Sequence, residues 1–238
     1  MSSRILLSLL IAVLIVVPSV YAESVRYVIP LEGSKWKSSI IQVHVSGGEE
    51  WQRNQTLQAL LIWNRAQLWI ASEYFPNSSV YTFEEGDSNA PVQVTLLNSG
   101  TVVGSIEAWT DYHAQKGVIE SATVKIADQN TQEALLLLNV HELGHVLGLG
   151  HVSCCDSDLM IPYPVDRQAS YLPTTLDLYA VHVLGTSEYM PTLVFLPNSI
   201  PYRTIPEAEL TLPESLNFLA ILLVVPVITL FSNRKKKP

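Results

Sequence analysis

The spacing of apolar and polar positions predicts a strand and then one long helix near the start of the folded region. Residues 38 to 46 alternate and are rich in β-branched side chains, which is typical of a strand. Residues 49 to 75 carry apolar positions at helical spacing. The side chains that we expect on and around the buried side of this helix are Leu57, Leu60, Leu61, Trp63, Leu68 and Ile70.

Several short strands and two more helices are predicted to follow the long helix. The strands are expected at residues 80 to 83, 92 to 97, 102 to 109 and 118 to 126. The second helix is expected from about residue 131 to 147, and the third from 174 to 184, closed by Gly185. This order of elements predicts an α+β fold.

Both ends of the chain are apolar and are predicted to lie outside the folded domain. Residues 1 to 22 have a basic start, a short apolar core and small residues before Ala22, which favours a cleaved secretory signal peptide over an uncleaved anchor. Residues 216 to 232 form a second apolar stretch, and a basic tail follows at 233 to 238. We predict a transmembrane anchor with the domain outside and the tail in the cytoplasm. The alternative is a sorting tail that a sortase-like transpeptidase removes.

The region between the ends is predicted to hold one domain at residues 23 to 185 and a stalk at residues 186 to 215. The stalk prediction depends on the prolines at positions 191, 197, 201, 206 and 213, although this segment could instead pack on the domain. All 22 acidic residues lie between the two ends, whereas five of the 14 basic residues do not. This acidity argues against a nucleic-acid partner.

One segment of eleven residues, 141 to 151, combines three histidines, a glutamate and three glycines. His141 and His145 are four residues apart and therefore lie on one face of the second helix, with Glu142 beside the first of them. In a continuous helix His151 would lie about 80° off that face and about 15 Å along the axis. Gly148 can end the helix and let the chain turn back. We therefore predict that the three histidines bind one zinc ion, with Glu142 as the catalytic base.

This segment resembles the zinc-binding sequence of the metzincin metallopeptidases, and every fixed position of that pattern is filled. Residues 158 to 162 resemble the methionine-containing turn of the same family, with Met160 at its centre. The proline two residues after Met160 is closer to the matrixin branch. The resemblance implies a metzincin-like catalytic domain, in which a mixed twisted sheet is combined with a long helix, a zinc helix and a C-terminal helix. It also implies that Met160 is an apolar floor under the histidines and not a ligand.

The resemblance further implies a zinc endopeptidase. The apolar stretches at the two ends predict that this enzyme is secreted and membrane-anchored at the cell surface. It would hydrolyse polypeptide substrates through a zinc-bound water, with Glu142 as general base. One catalytic Zn²⁺ is expected, and the sequence leaves a structural Ca²⁺ open. Residues 104 to 108 are interpreted as the edge strand that pairs with an extended substrate.

Two other functional classes stay open at this point. One is a different zinc hydrolase whose third ligand is a downstream carboxylate such as Asp177, which the presence of His151 makes a poor fit. The other is a non-catalytic surface module that keeps the fold for binding. The intact Glu142 argues against this second class, because a binding site has no use for a base at that position.

Two further features are left as separate hypotheses. Cys154 and Cys155 are the only cysteines, and they could be free thiols, a bridge between chains or a strained pair, with free thiols favoured. Asn54 and Asn77 each begin an acceptor triplet for N-glycosylation.

Overall fold

Eight strands and three α-helices make up the part of the chain that the structure, a computed structural model, describes. The described residues are 26–76, 78, 80–97, 107–129, 131–155, 158–162 and 169–210. The strands are β1 (Val28–Pro30), β2 (Lys35–Trp36), β3 (Ile40–Gly47), β4 (Thr82–Glu85), β5 (Val92–Leu97), β6 (Ala108–Gln115), β7 (Val118–Ala127) and β8 (Leu193–Phe195). The helices are α1 (Glu50–Tyr74), α2 (Gln132–Val146) and α3 (Thr175–Thr186).

Six of these strands form one mostly parallel sheet in the order β2-β7-β5-β3-β4, with β6 running antiparallel along β7. Among the described strands, β6 pairs with β7 alone, so β6 is an edge of the sheet. The predicted combination of a mixed sheet with a long helix, a helix that carries the histidine pair and a C-terminal helix is confirmed. The predicted strands at 80 to 83 and 92 to 97 correspond to β4 and β5, whereas residues 102 to 106 lie outside the described residues.

The core lies between this sheet and the helices α1 and α2. Alternate residues of β3 and β5 are buried, as expected for strands with one covered face. Trp63 of α1 is fully buried, and its indole nitrogen donates to the Val140 carbonyl of α2 at 2.8 Å. This bond connects the long helix to the helix that carries the histidine pair.

The buried face of α1 differs from the predicted one at two positions. Leu61 and Leu68 were expected on or around the buried side, but 52% and 47% of their surface is exposed. Ala59 and Ala66 are fully buried instead. These small side chains let the helix approach its neighbours closely. The prediction was wrong because apolar residues occur on more than one side of this helix, so their spacing does not define a single buried face.

The segment after α3 packs on the domain as far as Leu210. Strand β8 pairs antiparallel with β1, and Ile200, Ile205 and Leu210 are buried. The prediction of a stalk from residue 186 is therefore wrong up to Leu210, and the packed alternative holds there. Its prolines do not prevent packing, because the apolar residues between them reach the core. Residues 211 to 215 lie outside the described part of the chain.

The predicted signal peptide (1–22), anchor (216–232) and basic tail (233–238) all lie outside the described residues. Among the residues that the structure does describe, none of the helices has the length and apolar character needed to cross a bilayer.

Candidate metal centre

Helix α2 begins at a side-chain cap and ends at a glycine. The Thr131 hydroxyl accepts a hydrogen bond from the Ala134 amide at 3.1 Å, which satisfies one of the free N–H groups of the first turn. At the other end, the Gly148 amide donates to the His145 carbonyl at 2.8 Å, and Gly148 has φ +97°. A residue with a side chain is strained in this backbone conformation, so the glycine is required for the chain to leave the helix here.

The chain after Gly148 is held by a segment near the N-terminus. Leu149 forms a bridge with Leu31, and the Gly150 amide donates to the Pro30 carbonyl at 2.8 Å. The Glu32 amide donates to the Gly148 carbonyl at 3.0 Å. These bonds direct the chain back toward the helix immediately before His151. Sequence reasoning did not identify residues 30 to 32 as part of this arrangement.

The structure brings the three predicted histidines together. The Nε2 atoms are 3.2 Å apart for His141 and His145, 3.2 Å for His141 and His151, and 3.1 Å for His145 and His151. Nitrogens at three corners of a zinc tetrahedron are about 3.3 Å apart at the usual zinc–nitrogen distance. The three imidazoles therefore have the separation that one zinc ion requires.

The other ring nitrogens of two histidines show which atoms are free to bind a metal. His141 Nδ1 lies 2.8 Å from the Leu159 carbonyl oxygen, and His145 Nδ1 lies 2.7 Å from the Leu149 carbonyl oxygen. A carbonyl can only accept, so both Nδ1 atoms carry the proton and both Nε2 atoms carry a lone pair. Two lone pairs face each other at 3.2 Å. A cation between them converts this repulsion into attraction.

The electrostatic surroundings also favour neutral imidazoles. Burial, and secondarily the neighbouring His145, lower the pKa of His141 to about 3. Burial, and secondarily His151, lower the pKa of His145 to about 4. Burial lowers the pKa of His151 as well, although the Glu32 carboxylate opposes this shift. Because metal ligands must be deprotonated, these shifts suit a zinc site.

Met160 is packed against the helix that carries His141 and His145. Its side chain is fully buried, and its sulfur would lie 2.5 Å from a Cβ added at Gly144. Gly144 lies directly before His145, so the absence of a side chain there lets Met160 contact the helix backbone at the site. The Met160 carbonyl accepts from the Val152 amide at 2.9 Å, which closes the loop between His151 and the methionine turn.

Glu142 is buried beside the histidines, with 4% of its surface exposed. The Thr110 hydroxyl of β6 donates to its Oε2 atom at 2.6 Å. Burial raises the pKa of Glu142 to about 7, and the bond from Thr110 opposes the shift. A carboxyl group with a pKa near neutral is suited to accept and release a proton. Sequence reasoning missed Thr110, because nothing in the spacing of residues indicates a contact between β6 and α2.

The Matrixin family model matches residues 36–184. The chain belongs to the matrixin family. This match covers more than half of the chain and confirms the resemblance drawn from the histidine segment and the methionine turn.

Two solved structures of myroilysin are also similar to this matrixin. One is 18% identical over 52% of this chain and 54% of that chain, with a TM-score of 0.33. The other is 20% identical over 50% of this chain and 47% of that chain, with a TM-score of 0.32. The matrixin thus spans about half the length of these solved chains. Comparison with curated proteins gives no significant match.

The remaining candidate ligands lie away from the three histidines. In the described ranges, His141, His145 and His151 form the only group of three or more metal-ligating side chains. Asp177, the alternative third ligand, is buried in the first turn of α3 and bonded to Thr174. The alternative zinc hydrolase with an aspartate ligand therefore finds no support in the structure.

Three other sequence features have separate outcomes. Cys154 and Cys155 are joined as a disulfide, so the favoured hypothesis of free thiols is wrong for this structure. Their position next to each other had made a bond between them the less favoured alternative. Asn54 lies exposed on α1, and Asn77 lies outside the described residues. Glycosylation at both positions stays a prediction.

Two buried carboxyl groups lie close together at the start of the methionine turn and of α3, namely Asp158 and Asp177. The Thr174 hydroxyl oxygen is 3.0 Å from Asp158 Oδ2 and 2.9 Å from Asp177 Oδ2. A hydroxyl can donate its single proton to only one of them, so the other contact requires a proton on a carboxyl group. Asp158 also accepts from the Met160 amide at 2.9 Å and the Tyr202 hydroxyl at 3.2 Å, which favours its charged form. We therefore assign the additional proton to Asp177.

The electrostatics of the pair agree with this assignment. Burial raises the pKa of Asp177 well above its usual value, and the charge of Asp158 raises it further. Burial also raises the pKa of Asp158, but the bonds from Met160, Thr174 and Tyr202 oppose this shift.

The free energy of unfolding is expected to contain a component that falls as the pH rises. The folded chain keeps a proton on Asp177 that the unfolded chain releases above about pH 4. This stabilisation is complete below that pH and is lost as the pH rises through the raised pKa of the folded state, by up to about 1.4 kcal/mol per pH unit. Asp177→Asn is expected to remove the component, because its amide is neutral at every pH. Urea unfolding between about pH 5 and pH 9 measures it.

The matched control is Asp111→Asn, which makes the same change at an exposed position of β6. It is expected to keep the pH dependence of the parent. If Asp177→Asn also kept the full pH dependence of the parent, the proton would not reside on this carboxyl group.

Proposed function

We propose that this matrixin is a zinc-dependent endopeptidase that hydrolyses peptide bonds in polypeptide substrates. One observation carries the proposal: three Nε2 atoms, two of which hold no proton, converge within 3.2 Å of one another beside a buried glutamate. Glu142 has no role in a site that only binds a metal, because its carboxylate is bonded to Thr110 and is not one of the grouped ligands.

His141, His145 and His151 would hold the zinc ion. Glu142 and Met160 then have separate tasks at the site. When bound, zinc would supply the positive charge that polarises a carbonyl group and makes a water molecule more acidic. Glu142 takes a proton from the attacking water and passes it to the leaving amine. Its pKa of about 7 suits both directions of transfer. Met160 and the apolar residues of α2 are buried and exclude bulk water from the side of the histidines that faces the core.

Strand β6 is the surface on which we propose that the substrate lies. The sequence placed an edge strand at residues 104 to 108, of which 104 to 106 lie outside the described part. The described strand begins at Ala108 and pairs with β7 along one edge. An extended peptide could pair with the other edge through main-chain hydrogen bonds. The contact from Thr110 to Glu142 supports this placement, because it puts the strand directly beside the base.

We also propose that the enzyme is secreted and held at the cell surface. The support is in the sequence alone: an apolar stretch with a cleavage pattern at residues 1 to 22, and an apolar stretch followed by basic residues at 216 to 238. Removal of the second stretch by a sortase-like transpeptidase remains the alternative to a permanent anchor.

Zinc content and chelator-sensitive cleavage together test the proposed activity. We expect one zinc ion per purified chain by elemental analysis, and cleavage of a fluorescently labelled unfolded polypeptide. Addition of 1,10-phenanthroline should abolish cleavage, and excess zinc should restore it. A chain that holds no zinc would overturn the proposal, while one zinc ion without cleavage of any unfolded polypeptide would favour the non-catalytic binding module.

A further inference from the structure

A threonine hydroxyl on the edge strand contacts the carboxylate of Glu142. Thr110 lies in β6, opposite Val124 of β7. Its Oγ1 atom is 2.6 Å from Glu142 Oε2 and 3.3 Å from the main-chain oxygen of the same residue. The hydroxyl has a single proton, and the carboxylate oxygen is both the closer and the more strongly charged acceptor. The proton is therefore donated to Oε2.

This contact joins two different elements of the fold. Thr110 and Glu142 are 32 positions apart in the sequence, and the bond joins the sheet to α2. A glutamate side chain has three torsions, so its carboxylate can adopt several orientations unless another group fixes it. Within the described residues, the Thr110 hydroxyl is the side-chain donor to this carboxylate. It fixes the carboxylate relative to a strand and not only relative to its own helix.

The strand itself is held at a second point near the site. Thr110 and Tyr112 are two residues apart and therefore lie on the same face of β6. The Tyr112 hydroxyl lies 3.1 Å from the main-chain oxygen of Glu32, whose amide donates to the Gly148 carbonyl. One face of β6 thus contacts both the carboxylate of Glu142 and the segment that holds the chain before His151. The strand gives Thr110 a defined position relative to the ligands.

We propose that Thr110 is a positioning residue, which holds Oε2 of Glu142 and leaves Oε1 to take the proton from the attacking water. The inference rests on the proposed endopeptidase function. Loss of the hydroxyl leaves the strand in place, so a substrate would still bind with a similar KM. The carboxylate would then spend less time in the productive orientation, and kcat would fall.

The test compares Thr110→Val, which removes the hydroxyl at nearly constant volume, with Thr110→Ser, which keeps it. We expect Thr110→Val to lower kcat by about 10- to 100-fold with little change in KM. We expect Thr110→Ser to restore kcat to within a few-fold of the parent. Thr123→Val makes the same change at an exposed position of β7 and should match the parent. Zinc content and melting temperature, measured for every variant, verify that each one is folded and loaded.

Each of the other results contradicts the inference in its own way. A Thr110→Val enzyme with the kcat of the parent shows that the hydroxyl does not position the base. An increase in KM at constant kcat would place Thr110 in substrate binding instead. A Thr110→Ser enzyme as slow as Thr110→Val would exclude the hydroxyl as the cause. If the parent itself shows no chelator-sensitive cleavage, the proposed function fails and the inference fails with it. If the parent is active, the proposed function stands and the Thr110 variants test the inference by itself.

Discussion

Replacing Glu142 with glutamine is expected to lower kcat for peptide cleavage by about 10²- to 10⁴-fold, which is the usual contribution of a general base. The amide cannot take a proton from water, although it has nearly the shape of the carboxyl group. Its oxygen can still accept the bond from Thr110. Burial raises the pKa of Glu142 to about 7, so we expect a neutral amide to be accommodated at this position. The variant should therefore fold and keep one zinc ion per chain.

The comparison needs kcat, zinc content and a matched control. Glu133→Gln removes the same charge from an exposed position in the first turn of α2, far along the helix from the histidines. We expect it to match the parent in both measurements. A Glu142→Gln enzyme with the kcat of the parent would mean that another group acts as the base. If the variant lost zinc as well as activity, the loss could not be assigned to proton transfer.

The candidate metal site was predictable from the sequence because its geometry is mostly local. Four-residue spacing on a helix determines that His141 and His145 share a face. A glycine at position 148, which has φ +97°, determines where the helix can end. Both facts depend on the backbone of one segment. The structure then adds what brings His151 back, namely the bonds from residues 30 to 32, which are distant in the sequence.

The parts of the fold that were missed depend on pairing between distant segments. Strands β1 and β8 are three residues each and show no alternation long enough to indicate a strand. They pair with each other across most of the domain sequence. The prolines around β8 suggested a stalk, but Ile200 and Ile205 are buried in the core. Composition alone does not show whether an apolar residue in a proline-rich segment has a surface to pack against.

The contacts that tune the site were also beyond sequence reasoning. Thr110 contacts Glu142 because β6 packs beside α2. A single threonine in a strand does not indicate such a contact in the sequence. The sequence predicted Asp158 as part of a turn and Asp177 as a possible ligand, yet both carboxyl groups contact the Thr174 hydroxyl. Thr110 and Glu142, like Asp158 and Asp177, belong to different segments of the fold. Their contacts depend on how those segments pack, which the spacing of residues in the sequence does not indicate.

Removing zinc is expected to lower the melting temperature of the parent by about 5 to 11 °C. A ligand at a hundred times its Kd stabilises the folded state by about 2.7 kcal/mol, and 1 kcal/mol corresponds to about 2 to 4 °C for a chain of this size. The structural reason is the 3.2 Å approach of His141 Nε2 and His145 Nε2, whose lone pairs repel one another without a cation. Differential scanning calorimetry with and without a chelator measures the shift.

The His151→Ala variant tests whether the zinc-dependent shift in melting temperature comes from the three-histidine site. It leaves two ligands and is expected to bind zinc more weakly, so the chelator should change its melting temperature less than that of the parent. His151 is the most exposed of the three histidines, so this substitution removes the least packing. His113→Ala removes an exposed imidazole of β6, which contacts Glu120, and should keep the full zinc-dependent shift. An equal shift in His151→Ala and the parent would show that zinc stabilises the chain from a different place, because a ligand that has been removed cannot transmit its binding energy to the fold.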